Sequence, residues 1–190
     1  MATLNSSTAI TIRPAKDEEY LQAARVLYNA LIPNPMIKHL ISKVDQSTWL
    51  EFDAGEFKQS ISEGYSSVLV ARQIDTGELV GAAWSERFNK DHPPTLPSRQ
   101  FPKGCNRKEL DLLLDLEVNF KEESLAIYGD FVYVTEFGVA PTSRGQGIGK
   151  RMTELIIDHA KRTGLTIIIL VASGKSIGPH NNTRYPPNHI

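Results

Sequence analysis

The sequence predicts an α/β fold in which a mixed, mostly antiparallel sheet carries helices on both faces. Residues 67–74 and 79–87 have the composition of two strands joined by a turn at 75–78, which makes an antiparallel hairpin. Residues 131–139 predict a strand, and an amphipathic helix is predicted to follow it at 146–162. Residues 165–172 form an unbroken apolar run, which is typical of a strand covered on both faces.

The size and charge of the chain narrow its function. A chain of 190 residues fits one domain, which we place at 9–178 between disordered tails at 1–8 and 179–190. The net charge of −1 argues against nucleic acid as a partner. The single cysteine, Cys105, excludes an internal disulfide, and the five histidines lack metal-ligand spacing, so no metal is expected.

The sequence also predicts where the protein resides. Its apolar runs are too short for a membrane span, and its N-terminus lacks the basic and apolar regions of a secretory signal. We therefore expect a protein of the cytoplasm, with the nucleus as the alternative. It is expected to be a monomer or a homodimer without a membrane partner.

Two helices are predicted before the hairpin. A short strand ends at Pro14, and Asp17 is expected to cap the first helix. Pro33 and Pro35 break that helix, and a second helix is predicted over 46–63. The apolar face of the first helix consists of residues at helical spacing: Ala24, Leu27, Tyr28 and Leu31.

A loop and two further helices are predicted after the hairpin. Residues 89–104 are rich in proline and show no periodicity, which indicates a long loop. Asn106 is expected to cap a helix that runs to about Ser124. The last helix is predicted over 146–162, and Gly164 closes it.

The stretch VAPTSRGQGIGKRM, residues 139–152, carries three alternating glycines between a strand and a helix. Glycine is favoured where the backbone adopts a positive φ or approaches another group closely. The N-terminus of a helix presents amide N–H groups without partners, and such an end attracts phosphate. Arg144 and Lys150 add positive charge suited to a diphosphate. The loop is therefore predicted to bind a pyrophosphate.

Two familiar phosphate-binding motifs do not fit the chain. The dinucleotide fingerprint G-x-G-x-x-G differs from the spacing of Gly145, Gly147 and Gly149. A nucleoside-triphosphate P-loop would end at residues 174–176, but Ile169 occupies the position of its first glycine. A loop with a purely structural role is the other alternative.

The glycine loop and its surroundings resemble those of one enzyme superfamily. Arg144-x-x-Gly147-x-Gly149 resembles the R/Q-x-x-G-x-G/A signature of the GNAT superfamily of acyl-CoA-dependent N-acetyltransferases. TEFGVAPTSRGQGIGKRM looks like the fourth strand, pyrophosphate loop and following helix of that family. The opening ITIRPA, the early helices and the hairpin come in the family's order, and FPKGCN resembles an insertion in fungal-type members. The resemblance covers residues 9–178 and implies acetyl-CoA as the co-substrate.

The resemblance implies which residues hold acetyl-CoA. Phe137 and Val139 would pair with the pantetheine arm through their main chains, and Gly138 would permit a β-bulge there. The amide N–H of Val139 would stabilise the oxyanion of the reaction. The Arg144 side chain would steady the pyrophosphate, which would lie on the main-chain amides of the loop and the first helical turn: Gly145, Gln146, Gly147, Ile148, Gly149 and Lys150.

Glu136 is the candidate general base for the attacking amine, which must lose a proton. Burial beside Val134 and Phe137 is expected to raise its pKa toward a useful value. The alternative is a carboxylate paired with a nearby arginine or at the sheet edge. Glu86 and Trp84 are secondary candidates for lining the acceptor site.

The sequence departs from the family after about Gly178. In the family, a tyrosine on the helix after the fifth strand protonates the thiolate, and two more strands follow. The tail PHNNTRYPPNHI shows no such pattern, so Tyr185 is not assigned that role. We expect the C-terminal helix and the last strands to be missing, through a shifted reading frame or an alternative exon.

The resemblance predicts an enzyme that moves the acetyl group of acetyl-CoA to a primary amine by direct attack in a ternary complex. The amine would belong to a small molecule or a peptide. Two alternatives stay open because the family's acid is missing: a non-catalytic CoA-binding or interaction protein, and an inactive truncated form.

Overall fold

A computed structural model shows one five-stranded sheet with helices on both faces. It describes residues 9–95 and 100–165 and the main chain of 167–170. The strands are β1 Ile10–Pro14, β2 Ser66–Gln73, β3 Leu79–Phe88, β4 Phe131–Val139 and β5 Ile167–Leu170. They lie in the order β1-β2-β3-β4-β5, with the first four antiparallel and β5 parallel to β4. The predicted mixed, mostly antiparallel sheet is confirmed.

The helices divide between the two faces of the sheet. They are α1 Tyr20–Leu31, α2 Pro35–Leu40, α3 Gln46–Ser62, α4 Arg107–Tyr128 and α5 Ile148–Arg162. On one face, α1 and α3 pack on the sheet around Leu27, Phe57 and Trp84, while α4 packs beside them and covers α2. On the other face, α5 packs through Met152 and Ile156. The prediction of helices on both faces is confirmed.

The chain enters α1 through a short 3₁₀ turn, Asp17–Glu19. The cap of this turn comes from Glu19, whose Oε2 accepts the Lys16 amide N–H at 2.9 Å. The expectation that Asp17 is the cap is wrong. The carboxylate at the third position of the turn accepts the amide N–H of the residue before the turn, so the residue at the first position, Asp17, does not cap it.

Glu19 is also the centre of a buried ion cluster that joins β1, β2 and the start of α1. Arg13 donates to both carboxylate oxygens at 2.7 Å, and Arg72 donates to Oε1 at 2.5 Å. The Glu19 side chain is 6 % exposed. These bonds, chiefly the one from Arg13, hold the pKa of Glu19 well below its usual range.

Helix α2 is absent from the prediction, in which Pro33 and Pro35 only break the first helix. Pro35 is the first residue of α2, where its missing N–H costs nothing. Asn34 caps this helix by accepting the Met36 amide at 2.9 Å. The following α3 agrees with the predicted second helix to within one residue, and Asp45 caps it.

Helix α4 begins after Asn106 as predicted, but the Asn106 side chain does not cap it. Its Nδ2 lies 2.8 Å from Nε2 of His39 instead, which ties α4 to α2. The helix continues past Ser124 to Tyr128, where Gly129 ends it with a φ of 78°.

Helix α5 begins two residues later than predicted, because Gly147 is its N-cap, and it ends at Arg162 as predicted. The predicted strand at 165–172 contains β5. Leu165 lies before this strand, and the other residues of that prediction, the tails expected at 1–8 and 179–190, and the expected loss of C-terminal elements lie outside the described residues. Of the helices that the structure describes, none has the length and apolar character needed to cross a membrane.

Candidate functional site

Strand β4 leads into the glycine loop, which ends at the N-terminus of α5. A 3₁₀ turn at Pro141–Ser143 follows the strand. Gly145 and Gly147 then have φ angles of 78° and 75°, a region that residues with a Cβ rarely adopt. Gly149 lies within the first turn of α5 in helical conformation. The positive φ angles therefore require glycine at the first two positions, whereas the backbone conformation at Gly149 does not require it.

The N-terminus of α5 is electropositive and exposed. Gly147 supplies no side-chain cap, and the first turn of the helix contains no acidic residue. The amides of Ile148, Gly149 and Lys150 precede the first intrahelical donor, the Arg151 N–H, which bonds to the Gly147 oxygen. Arg144 and Lys150 are exposed beside them. A negatively charged group would be stabilised at this end of the helix.

The main chains of Phe137 and Val139 face away from β3. The next residue, Ala140, donates its N–H to the Val80 oxygen at 2.8 Å, so Ala140 and Val80 form a hydrogen-bonded pair. Such pairs alternate with non-bonded pairs along an antiparallel ladder, so the N–H and C=O groups of Val139 and Phe137 point to the opposite edge. Among the described residues, β5 pairs with that edge only along Phe131–Val134.

The Arg144 side chain folds back over the end of β4. Its Nε donates to the Val139 carbonyl oxygen at 3.2 Å. This contact holds the guanidinium beside the loop. The two terminal amino groups, which make up the fork that binds phosphate oxygens, do not take part in it.

The structure brings the predicted pantetheine and pyrophosphate residues together. A Cβ added at Gly149 would lie 3.5 Å from Cε1 of Phe137 and 3.8 Å from Cγ2 of Val139. Gly81 on β3, which the sequence analysis missed, allows α5 to approach the sheet. A Cβ there would lie 3.0 Å from Sδ of Met152 and 3.3 Å from Cγ2 of Ile148. The small-residue run Gly81-Ala82-Ala83 is the signal that could have indicated this approach.

Gly138 is required by helix packing. A Cβ at this position would lie 2.6 Å from the Ala30 Cβ and 3.5 Å from Cδ2 of Leu27. Helix α1 therefore crosses β4 at contact distance. The expectation that Gly138 permits a bulge is wrong, because the register of β3 and β4 shifts at Thr135 instead.

Glu136 lies on the face of β4 that carries α1. It is paired in register with Trp84, and residues directly opposite on antiparallel strands share a face. Trp84 is only 5 % exposed, packs against Phe57 with ring centroids 5.2 Å apart, and donates its indole N–H to Ser66 Oγ at 2.6 Å. Trp84 is thus a core side chain, and half-buried Glu136 lies on the opposite face from α5.

A buried polar cluster lies beside Glu136, and the sequence analysis identified only one of its members, Glu86. Lys121 Nζ lies 2.8 Å from Oε1 of Glu117 and 3.5 Å from Oε2 of Glu86. It also lies 4.3 Å from the ring centroid of Tyr133. Glu86 Oε2 accepts the Thr135 hydroxyl at 2.9 Å. We call these five residues the bulge cluster, because Thr135 is the bulged residue of β4.

Burial defines the electrostatics of the bulge cluster. The Lys121 side chain is 9 % exposed and that of Glu86 is 15 % exposed. Burial raises the pKa of the Tyr133 hydroxyl, and the nearby carboxylate of Glu117 raises it further. Tyr133 is therefore a neutral side chain at physiological pH. The Glu117 and Lys121 spacing of four residues in α4 is the one sequence signal that indicates part of this cluster.

The chain belongs to the GNAT acetyltransferase family, because the model of the Acetyltransferase (GNAT) family matches residues 34–178. That range contains β4, the glycine loop and α5. No curated protein sequence matches the chain.

Solved acetyltransferase structures have the same fold. Polyamine N-acetyltransferase of Drosophila melanogaster superposes with a TM-score of 0.62 at 19% identity, over 84% of this chain and 74% of that one. Mosquito arylalkylamine N-acetyltransferase like 5b gives 0.61 at 22% identity, over 84% and 74%. A predicted acetyltransferase with acetyl-CoA from Clostridium acetobutylicum gives 0.51 at 17% identity, over 95% and 96%. These similarities confirm the fold class.

Proposed function

We propose that this protein is an acetyl-CoA-dependent N-acetyltransferase that acts on a primary amine in a ternary complex. The observation that carries the proposal is the continuity between the outward-facing main chain of Phe137 and Val139, the glycine loop and the N-terminus of α5. An extended amide-containing arm that ends in a diphosphate matches this arrangement in order and in charge. A solved relative of the same fold is described with acetyl-CoA.

Acetyl-CoA would bind mainly through main-chain groups. The amides from Gly145 to Lys150 would take the pyrophosphate, and the terminal amino groups of Arg144 would bind its oxygens. The pantetheine arm would add to the edge of β4 at Phe137 and Val139, as an extra strand would. The Val139 N–H would then point at the thioester carbonyl and stabilise the oxyanion.

Glu136 would act as the base from the other side of β4. The amine loses a proton to Glu136, and its nitrogen attacks the thioester carbon. The C–N bond forms in this attack, and the carbonyl oxygen becomes the oxyanion. The oxyanion then collapses, the C–S bond breaks, and the CoA thiolate takes up the further proton that the nitrogen releases as it becomes an amide. This proposal uses two different parts of the strand: its outer edge holds the co-substrate, and the face that carries Glu136 receives the amine.

The acceptor is proposed as an amine of a small molecule or a peptide. Two solved proteins with this fold are named for polyamine and arylalkylamine acceptors. The exposed acidic residues of α4 give the protein a surface that attracts cations: Glu109, Asp111, Asp115, Glu122 and Glu123.

A second candidate function is CoA binding without turnover. We propose that the chain is a fungal-type member of the family whose last elements are replaced or truncated after about Gly178, which would remove the family's acid. The end of the family match at residue 178 supports this boundary. Sequencing the transcript across codon 178 tests it: a predominant transcript with this reading frame supports a genuine form, and any other frame identifies an artefact.

The test of the proposed function is calorimetric titration with acetyl-CoA. Arg144→Ala with Gly147→Ala removes the guanidinium and strains the N-cap. It should weaken binding at least about 30-fold, because a charged hydrogen bond and a positive φ are both lost. Turnover of an amine panel by the wild type then separates the enzyme from the CoA-binding protein.

The matched control is Arg162→Ala with Gly64→Ala. Arg162 is exposed at the other end of α5, and Gly64 has a φ of 85° with open space around it, as Gly147 has. This variant makes the same change in charge and backbone away from the loop, so it should bind as the wild type does. No binding by a cooperatively folded wild-type chain contradicts the proposal.

A further inference from the structure

The β-bulge at Thr135 decides which way the end of β4 faces. Glu136 is paired with Trp84 and Val134 with Ser85, so Thr135 is an extra residue on β4. Before the bulge, odd-numbered residues such as Tyr133 face α4, and even-numbered residues face α5.

After the bulge, this order is reversed. Phe137 and Val139 pack against the α5 side, and Gly138 meets α1. Without the extra residue, the main chains of Phe137 and Val139 would point toward β3. The proposed site for pantetheine therefore exists only because the strand is bulged.

The bulged residue is held by a buried charge. The Thr135 hydroxyl donates to Glu86 Oε2 at 2.9 Å, and the same oxygen lies 3.5 Å from Lys121 Nζ. Lys121 is fixed in turn by Glu117 at 2.8 Å and by the rings of Tyr133 and Phe88, 4.3 and 4.9 Å from its ammonium. The chain of contacts runs from α4 through β3 to the bulge in β4.

Such an arrangement is a poor way to gain stability alone. Desolvating an ion pair costs about as much as the pair returns, and apolar side chains of similar size often serve equally well. What the ion pair supplies here is a fixed acceptor for one hydroxyl, at the residue where the register changes. Bulges next to active sites serve to re-aim side chains.

We propose that Glu86 and Lys121 are positioning residues that fix the bulge at Thr135 and thereby aim Glu136 and the amides of Phe137 and Val139. This inference rests on the proposed function for its chemistry. Its structural part concerns the free protein and stands without a ligand.

The test compares Thr135→Val with the wild type. Valine keeps the branched shape and removes the donor to Glu86, and Thr135→Ser restores a hydroxyl. The control is Thr76→Val, which removes a similar 2.9 Å hydroxyl bond, to Gln73, in the β2–β3 turn. In the free protein, amide NMR shifts should change most at Glu136 and Phe137 in Thr135→Val and return toward wild-type values in Thr135→Ser. Shift changes confined to Thr135 and α4 overturn the proposal.

A second measurement follows the consequence for binding. Acetyl-CoA is compared with 3′-phospho-ADP, the part of CoA without the pantetheine arm. Thr135→Val should lower the affinity for acetyl-CoA about tenfold and leave that for 3′-phospho-ADP unchanged. An equal loss for both compounds, or none for either, contradicts the proposal. If the wild type binds neither compound, the proposed function fails, and the NMR comparison still decides the positioning.

Discussion

The two sides of β4 carry two kinds of polar site. The glycine loop is exposed, consists mainly of main-chain groups and lies within a dozen consecutive residues, 139–150. The bulge cluster is buried, consists of side chains and gathers residues from β3, α4 and β4. Damage to the loop should therefore weaken binding with little loss of stability, whereas damage to the cluster should lower stability and weaken only the binding of ligands that carry the pantetheine arm.

The largest expected effect is a loss of stability in Lys121→Met. Removal of the ammonium leaves the partly buried carboxylates of Glu86 and Glu117 without their common cation, which should cost about 3 kcal/mol. In a chain of this size that corresponds to a fall of about 6–12 °C in Tm, measured by circular dichroism. The affinity for 3′-phospho-ADP should not change.

Lys161→Met is the control for Lys121→Met. Lys161 is exposed at the end of α5, so its replacement should shift Tm by less than about 2 °C. A Tm for Lys121→Met equal to that of Lys161→Met would show that the buried ion pair does not support the fold.

The ion cluster around Glu19 lies between the two cases, since Arg13 and Glu19 are close in sequence and Arg72 is remote. Glu19→Gln should cost about 2 kcal/mol at pH 7. The pKa of Glu19 is lowered, chiefly by Arg13, so the folded state gains this contribution above the ordinary value of 4.5. The contribution is lost as the pH falls toward the pKa of the folded state.

Urea unfolding at pH 7, 5 and 3.5 measures this pH dependence. The stability difference between wild type and Glu19→Gln should be largest at pH 7 and should shrink at pH 3.5. Glu18→Gln is the control, because its carboxylate is exposed. A difference that does not depend on pH would show that packing, and not charge, accounts for the effect of Glu19.

The sequence predicts local features of this molecule well. The limits of β4 agree with the prediction to the residue, because Gly129 and Pro141 flank an uninterrupted strand pattern. Gly145 and Gly147 have the positive φ angles that glycine spacing suggested. Such features depend on a few neighbouring residues, and the residue types involved, glycine and proline, each have a strong conformational preference of their own.

Features that depend on distant residues could not be predicted in the same way. Thr135 is an ordinary strand residue in sequence. It is the extra residue because Trp84 is paired with Glu136 and Ser85 with Val134. Gly138 resembles a bulge glycine until α1 is seen to cross it. In sequence, Lys121 resembles the other charged residues of α4. Its contact with Glu86, which belongs to β3, exists only in the folded chain.

The smallest expected effects are those of alanine substitutions at Gly147 and Gly149, which should change stability in opposite directions. Gly147→Ala forces a Cβ onto a φ of 75°, which should cost about 1 kcal/mol of stability and weaken acetyl-CoA binding about fivefold, as the N-cap shifts. Gly149→Ala places its Cβ 3.5 Å from Phe137, an ordinary contact. It should stabilise the free protein by about 0.5 kcal/mol, because alanine favours the helix.

Both variants are measured by thermal melting and by calorimetry with acetyl-CoA. Because the Gly149 Cβ would point at the side chains of β4, it does not enter the space above the first helical amides, and binding should stay within twofold of the wild type. Loss of binding in Gly149→Ala without loss of stability would mean that the ligand, and not the strand, is what approaches this glycine. The diphosphate would then lie deeper against Phe137 than the helix terminus alone requires.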